Sequence, residues 1–180
     1  LVGLAILGVV LLAAFIWQER RAAEPILPLT LFHSRVFSVA NAMGFTIGMA
    51  MFGAISFVPL FLQHVSGMSA TAVGFVLTPF VLGWVAMSII SARLVLRLGY
   101  RILVVSGMAC LALAFLMLAR WSPGLTQAVA MRDALVGGIG MGLTFVPMLI
   151  AVQSAVPRAD LGSATSMTQF FRTIGGALIA

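Results

Sequence analysis

The sequence predicts an all-α integral membrane protein, on the evidence of its composition, the length of its apolar runs and the placement of its arginines. Of its 180 residues, 62% are hydrophobic and only 8% are charged, with a mean hydropathy of +1.19. A soluble domain carries about 25% charged residues, so this chain cannot cover a water-facing surface and the bilayer is its expected solvent. The apolar runs lack the alternating pattern of a membrane β-barrel, which leaves helices.

Six apolar runs approach or exceed the length of about 20 residues that a helix needs to cross a membrane. The chain begins without methionine, and it opens and closes within apolar runs. We therefore interpret it as a fragment of a helical bundle, truncated at both ends, with a linker helix first and a bundle of five helices after it. The predicted spans are residues 1–17, 36–63, 71–92, 102–119, 134–153 and 161–180.

The links between these spans are short, and most carry a turn or capping signal. Residues 18–35 contain two prolines and are predicted to form a loop on the cytoplasmic side. Gly67 can end the second span, and Ser69 can cap the third. A tight turn is expected at Gly99, and Asp160 can cap the last helix. No link is long enough to hold a soluble catalytic domain.

The ten basic residues are all arginines, and nine of them lie in the links, where their number alternates from one link to the next. The first, third and fifth links hold seven of them, and the second and fourth hold two. The positive-inside rule then places the arginine-rich links in the cytoplasm of a multi-pass protein of the plasma (inner) membrane. This placement explains the net charge of +6 by topology, so nucleic acid is not an expected partner.

A few side chains inside the spans are candidates for lining a substrate cavity. Buried amides are costly in lipid, so the neutral amides are expected to face protein, water or an interface. Aromatic and methionine side chains accept varied apolar ligands, although packing in the core or against lipid explains any single one equally well. The candidates are Asn41, Phe45, Met49, Gln63, Trp84 and Gln153.

Ionisable groups within the predicted spans are rare. Arg172 lies ten to twelve residues into the last span, which allows either a position near the membrane midplane or snorkelling to the interface; the polar start of that span favours the second. Asp133 is predicted at the outer edge of its span, where the adjacent Arg132 is not expected to face it. The carboxylates that would couple transport to protons are therefore expected outside this chain.

The sequence gives no reason to expect an enzyme, a cofactor or a metal site. The single cysteine, Cys110, excludes an internal disulfide and a cysteine-based metal cluster. The glycine-rich stretch at residues 137–142 lies within an apolar span with no strand before it, so it is not a dinucleotide-binding loop.

Several segments, in this order, resemble the major facilitator superfamily, and in particular its fourteen-helix drug:proton antiporter family. They are EPILPLTLFHSRVFSVAN, FVPLFLQHVSGMSATAVGFVLTP, ARLVLRLGYR, GMGLTFVP and AVQSAVPRADLGSATSMTQFFRTIGGAL. The resemblance implies that the six spans correspond to helices eight to thirteen of such a transporter.

The function implied by the resemblance is proton-coupled efflux of hydrophobic or cationic drugs by alternating access. The implied partners are the lipid bilayer, a small-molecule substrate, protons and the N-terminal half of the same polypeptide. Two alternatives stay open at this point. One is an exporter or importer of a specific metabolite or siderophore, and the other is a membrane scaffold or sensor that transports nothing.

The third link is similar to the cytoplasmic loop motif G-x-x-x-D-R-x-G-R-R of this superfamily. The acidic position of the motif falls on Leu96 and its first glycine on Ala92, so the carboxylate that would pair with a basic partner is absent. The resemblance therefore implies a tight turn and a membrane anchor more than a charge-relay switch. The residues assigned to this loop are Arg93, Arg97, Gly99 and Arg101.

Overall fold

The computed structural model describes Trp17 and residues 29–179. All regular elements in this part of the chain are helical, which confirms the predicted all-α class. A short 3₁₀ turn, Leu29–His33, leads into helix α1, Arg35–His64. Helix α4 is Gln127–Ser154 and helix α5 is Leu161–Ala177. The predicted first span and most of the loop after it lie outside the described residues.

Helices α2 and α3 form one hydrogen-bonded run, Ala70–Leu118, which is interrupted at Gly99. Gly99 has φ 76° and ψ 159°, a conformation that a residue with a Cβ rarely adopts. We therefore treat residues 70–98 as α2 and residues 100–118 as α3. The predicted cap is present, since the Ser69 hydroxyl accepts a hydrogen bond from the Ala72 backbone N–H at 3.2 Å.

Two helices extend beyond their predicted ends, in both cases through charged residues. Helix α2 continues past residue 92 to residue 98 and includes Arg93 and Arg97. Arginine is a good helix former, and its charge is favourable at a helix C-terminus. Helix α4 begins at Gln127 rather than near residue 134, so Asp133 lies within its second turn. The first charged residue is therefore a poor marker of where these helices end.

The helices pack as a pair and a trio. In the pair, α1 and α5 run parallel, with Gly44 opposite Thr168 and the backbone of Gly48 against that of Arg172. In the trio, α4 packs against α2, where Gly138 meets the backbone of Phe80. A Cβ at Gly48 or Gly138 would collide with the backbone of the neighbouring helix, whereas one at Gly44 would make an ordinary van der Waals contact. Gly48 and Gly138 therefore set the distance between their helices.

The trio also contains the antiparallel contact between α3 and α4, where Gly107 lies against Gly140 and Thr144. A buried hydrogen bond joins α2 to α4, since the Ser91 hydroxyl donates to the Gly142 carbonyl at 2.9 Å.

Three of the described helical segments are long and apolar enough to cross a membrane, and one of them is the combined run of α2 and α3: Arg35–His64, Ala70–Leu118 and Gln127–Ser154.

This packing gives the bundle two distinct ends. The start of α1, the turn at Gly99 and the link between α4 and α5 lie at one end, which we call the arginine-rich end. The end of α1, the start of α2 and the link between α3 and α4 lie at the other, the arginine-poor end. A hydrophobic cluster occupies the arginine-poor end, and its buried residues are Leu62, Val73, Val76, Ala130 and Ala134.

Candidate functional site

Asn41 is placed in the interior of the bundle rather than on an open surface. It is 2% exposed, and its side-chain N–H donates to the Phe37 carbonyl one turn earlier at 2.8 Å. Its Oδ1 atom has no hydrogen-bond partner among the described residues. The amide is therefore enclosed by protein on α1.

The two glutamines predicted to line a cavity lie at opposite ends of the bundle, and both are exposed. Gln63 is next to the last residue of α1, at the arginine-poor end, and Gln153 is next to the last residue of α4, at the arginine-rich end. The structure therefore does not bring Gln63, Gln153 and Asn41 into one polar site.

Phe45 and Met49 lie on α1 and contact other helices than the one that carries Trp84. The backbone of Phe45 packs against Gly175 of α5. Met49 lines a shallow apolar groove between α1, α3 and the end of α5, together with Phe57, Phe115 and Ile179. These two candidates therefore belong to the interfaces of α1 with α3 and α5.

Trp84 is part of an aromatic row that crosses from α2 to α4. Its ring centroid is 6.1 Å from that of Phe80 and 6.3 Å from that of Phe145, and it meets the second ring edge to face at 84°. Edge-to-face pairs at such distances are favourable. All three rings are only partly buried, so the row keeps an accessible surface.

Arg172 extends this aromatic row to a third helix. Its guanidinium carbon lies 4.7 Å from the centre of the Phe145 ring, within the range of a cation–π contact. Its backbone packs against Gly48, which lies about 20 Å along α1 from Arg35 at 1.5 Å per residue. Since α1 has 30 residues, Arg172 stands at the level of its middle. Arg172 is thus level with the middle of α1 and half-buried, which agrees with the deeper of the two placements considered for it without measuring its depth in a membrane.

An apolar cavity of about 120 Å³ lies between α1, α2, α3 and α4. It occupies the half of the bundle nearer the arginine-poor end, and Ile47, Phe80, Leu111 and Met141 are among its lining residues. Trp121 and Asp133 border it at that end. Its apolar lining suits a hydrophobic group, and its volume is below the roughly 300–1,000 Å³ of pockets that enclose drug-sized ligands.

Asp133 is a buried charge that the sequence analysis underestimated. It is 2% exposed, and its Oδ1 atom pairs with Arg132 at 2.8 Å to Nη2 and 2.9 Å to Nε. Its Oδ2 atom accepts a hydrogen bond from the Trp121 indole at 3.0 Å. The expectation that Arg132 would not face Asp133 was wrong, because a long arginine side chain can bend back to an adjacent residue. The apolar sequence around Asp133 was the signal that could have indicated its burial.

Trp121 connects this carboxylate to α1 as well. Its ring centroid lies 5.8 Å from that of Phe61, near the end of α1. The contacts of Phe61, Trp121 and Asp133 thus run across the arginine-poor end from α1 to α4.

The loop at Gly99 presents its charges to the outside of the bundle. Arg93, Arg97 and Arg101 are all exposed, and none forms an ion pair within the described part of the chain. Leu96, at the position where the superfamily motif has an acid, is 88% exposed. The geometry is that of a tight turn with basic flanks.

The helical bundle and its segments that are long and apolar enough to cross a membrane define a multi-pass membrane protein. Comparison with known families makes the assignment specific. A family model described as Major Facilitator Superfamily matches residues 1–180, and the chain belongs to this family.

Several curated relatives are named for drug transport or drug resistance. Multidrug transporter protein MdtP of Bacillus subtilis is 39% identical over 98% of this chain and 32% of its own length. A tetracycline resistance determinant of Streptomyces rimosus is 35% identical over 95% of this chain and 50% of its own length. Multidrug export protein EmrB of Haemophilus influenzae is 30% identical over 97% of this chain and 34% of its own length. The chain therefore spans between about a third and a half of the length of these relatives.

Proposed function

We propose that this chain is part of a secondary active transporter that exports hydrophobic drugs in exchange for protons. The mechanism would be alternating access, in which helical bundles rock around a site near the membrane midplane. The structural observation that carries the proposal is the apolar cavity of about 120 Å³ between the α1 side and the trio of α2, α3 and α4. The names of the relatives support the same substrate class.

We propose different parts for the candidates that the sequence indicated. Trp84 would contact substrate through the accessible side of its aromatic row, and Met49 through the groove beside α1. Asn41 would contribute to packing within the bundle and not to substrate contact, because its amide donates to its own helix and is enclosed. Gln63 and Gln153 would meet substrate only at the two ends of the path, where they are exposed.

The proton and any cationic substrate need a carboxylate that is available. Among the described residues, the acids are Asp133, which is engaged by Arg132 and Trp121, and Asp160, which lies in a 3₁₀ turn at the arginine-rich end. We therefore assign the coupling carboxylates to polypeptide outside the described residues.

The test measures drug efflux by the complete protein that contains this chain. The protein is expressed in a host strain from which the main drug exporters have been deleted. We expect a hydrophobic dye to accumulate less than in empty-vector cells, and this difference to vanish when a protonophore collapses the proton gradient. Gly138→Leu is the inactive control, since a side chain there would collide with the backbone of Phe80. Accumulation equal to the vector would contradict efflux, and efflux that survives the protonophore would contradict proton coupling.

A further inference from the structure

The guanidinium of Arg172, level with the middle of α1, is a charge with no anionic partner in the described part of the chain. Arginine offers five N–H donors, yet none forms a hydrogen bond or an ion pair within residues 29–179, and the Phe145 ring is its close contact. An arginine inside a membrane protein is normally paired, because an unpaired charge in a medium of low polarity is costly. The arrangement therefore lacks an anion.

The side chains around Arg172 indicate what kind of molecule would supply the anion. Phe145 lies under the guanidinium, and Trp84 meets Phe145 edge to face. These side chains come from α5, α4 and α2, and each is only partly buried. A positive charge at one end of an accessible aromatic row matches a ligand with an acidic group and a flat apolar body.

The charges on the neighbouring helices do not compete for this position. Asp133 lies near the start of α4, whereas Phe145 lies twelve positions later, which places them about 18 Å apart along the helix. Asp133 is moreover engaged by Arg132 and Trp121. On α5, Gln169 is exposed and lies three positions before Arg172, so both share a helix face.

We propose that Arg172, Phe145 and Trp84 form the binding site for an aromatic carboxylate substrate. This inference rests on the proposed efflux function and specifies the substrate class of that function. The guanidinium would bind the carboxylate through two parallel N–H donors, and the aromatic row would contact the apolar body. A cationic substrate would be repelled by the same charge.

The experiment compares two fluorescent substrates that share one apolar body and differ in charge. Pyrenebutyrate carries a carboxylate, and pyrenebutyl-trimethylammonium carries a quaternary ammonium. Efflux of each from preloaded cells is measured for the complete protein, for Arg172→Gln, for Arg172→Lys and for the control Arg120→Gln. Arg120 is an exposed arginine in the link between α3 and α4, so its loss leaves the mid-depth site unchanged.

We expect Arg172→Gln to slow pyrenebutyrate efflux roughly tenfold, which is the effect of losing a hydrogen bond to a charged group. Efflux of the ammonium compound should stay equal or rise. Arg172→Lys should retain part of the pyrenebutyrate efflux, because lysine keeps the charge and loses the fork of two donors. Arg120→Gln should match the wild type with both compounds.

An equal loss of both compounds in Arg172→Gln, at normal membrane levels, would overturn the inference and show that the guanidinium pairs with a carboxylate of the polypeptide itself. Should this variant fail to reach the membrane, competition in the wild type decides the matter. A non-fluorescent aromatic carboxylate should slow efflux of pyrenebutyrate and spare the ammonium compound, and equal inhibition of both would overturn the inference. Export of the ammonium compound alone by the wild type would also overturn it, whereas export of neither compound would contradict the proposed efflux function instead.

Discussion

Asp133 and Arg172 are both ionisable side chains within the helical bundle, and their surroundings are opposite. Asp133 is 2% exposed, and both of its oxygens accept hydrogen bonds from Arg132 or Trp121. Arg172 is half-buried, and its nearest partner within the described residues is an aromatic ring. A satisfied charge holds neighbouring segments together, while an unsatisfied one is available to a ligand.

The surroundings predicted from the sequence differ from these for both residues. Asp133 was expected at the outer edge of its span without a contact to Arg132, and the interfacial position was favoured among the two left open for Arg172. The structure buries Asp133 at the arginine-poor end and places Arg172, half-buried, level with the middle of α1. The difference between them can be tested by substitutions that disturb one and spare the other.

The largest effect is expected from Gly48→Leu, which disturbs the packing of α1 against Arg172. A side chain at residue 48 would collide with the backbone carbonyl of Arg172, so α1 and α5 would have to separate. We expect a loss of about 3 kcal/mol in the free energy of unfolding and a displaced Arg172. Thermal unfolding of the purified complete protein measures the first effect.

The matched control is Gly74→Leu on α2, where nothing lies within 4 Å of an added Cβ. It should unfold at the wild-type temperature. Equal destabilisation by both variants would show that the loss comes from glycine chemistry in general and not from the contact between α1 and α5.

The second-largest effect is expected from Asp133→Ala, which removes the carboxylate that pairs with Arg132 and Trp121. Trp121 would lose its acceptor and Arg132 its carboxylate, at a cost of about 2 kcal/mol. Asp133→Asn should cost less, because the amide oxygen can still accept from the indole. Thermal unfolding together with tryptophan emission measures both, and an unchanged unfolding temperature in Asp133→Ala would refute the structural role of this carboxylate.

A smaller effect is expected when only the exposed partner of Asp133 is removed. Arg132 is 61% exposed, and ion pairs in contact with solvent contribute about 0–1 kcal/mol. Arg132→Gln should therefore destabilise the protein less than Trp121→Phe, which removes the indole donor and keeps an aromatic ring. If Arg132→Gln proves the more damaging of the two, the ion pair and not the indole holds this end of the bundle together.

The smallest effect on stability is expected from Leu96→Asp, which restores an acid in the loop at Gly99. Leu96 is 88% exposed, so its replacement should change the free energy of unfolding by less than about 0.5 kcal/mol. Transport is the informative measurement here. A higher efflux rate would mean that the missing carboxylate matters to the transport cycle, and an unchanged rate would confirm the loop as a turn with basic anchors.

The helices and their turns could largely be predicted, because apolar runs and glycine act locally. Gly99 was expected at a tight turn, and its φ of 76° is the conformation that glycine permits. Ser69 was expected to cap α2 and does so. The ends of α2 and α4 were misplaced, since arginine and aspartate can lie within a helix when their side chains reach solvent or a partner.

The candidate site could not be predicted to the same degree, because it depends on which helix faces which. Asn41, Gln63 and Gln153 are alike in chemistry, yet they lie in the interior and at two opposite ends. The contact between Arg172 and Phe145 joins helices α5 and α4, and the bend of Arg132 towards Asp133 is a matter of rotamer. Neither follows from spacing along the chain.

The single non-helical residue between α2 and α3 has a consequence for how the protein is made. A loop of many residues would let two spans emerge from the ribosome and settle in the bilayer one after the other. With Gly99 alone as the turn, residues 70–118 carry no slack, and we expect them to integrate together as a helical hairpin. Substitutions of Gly99 should therefore lower the amount of protein inserted in the membrane before any effect on transport can be measured.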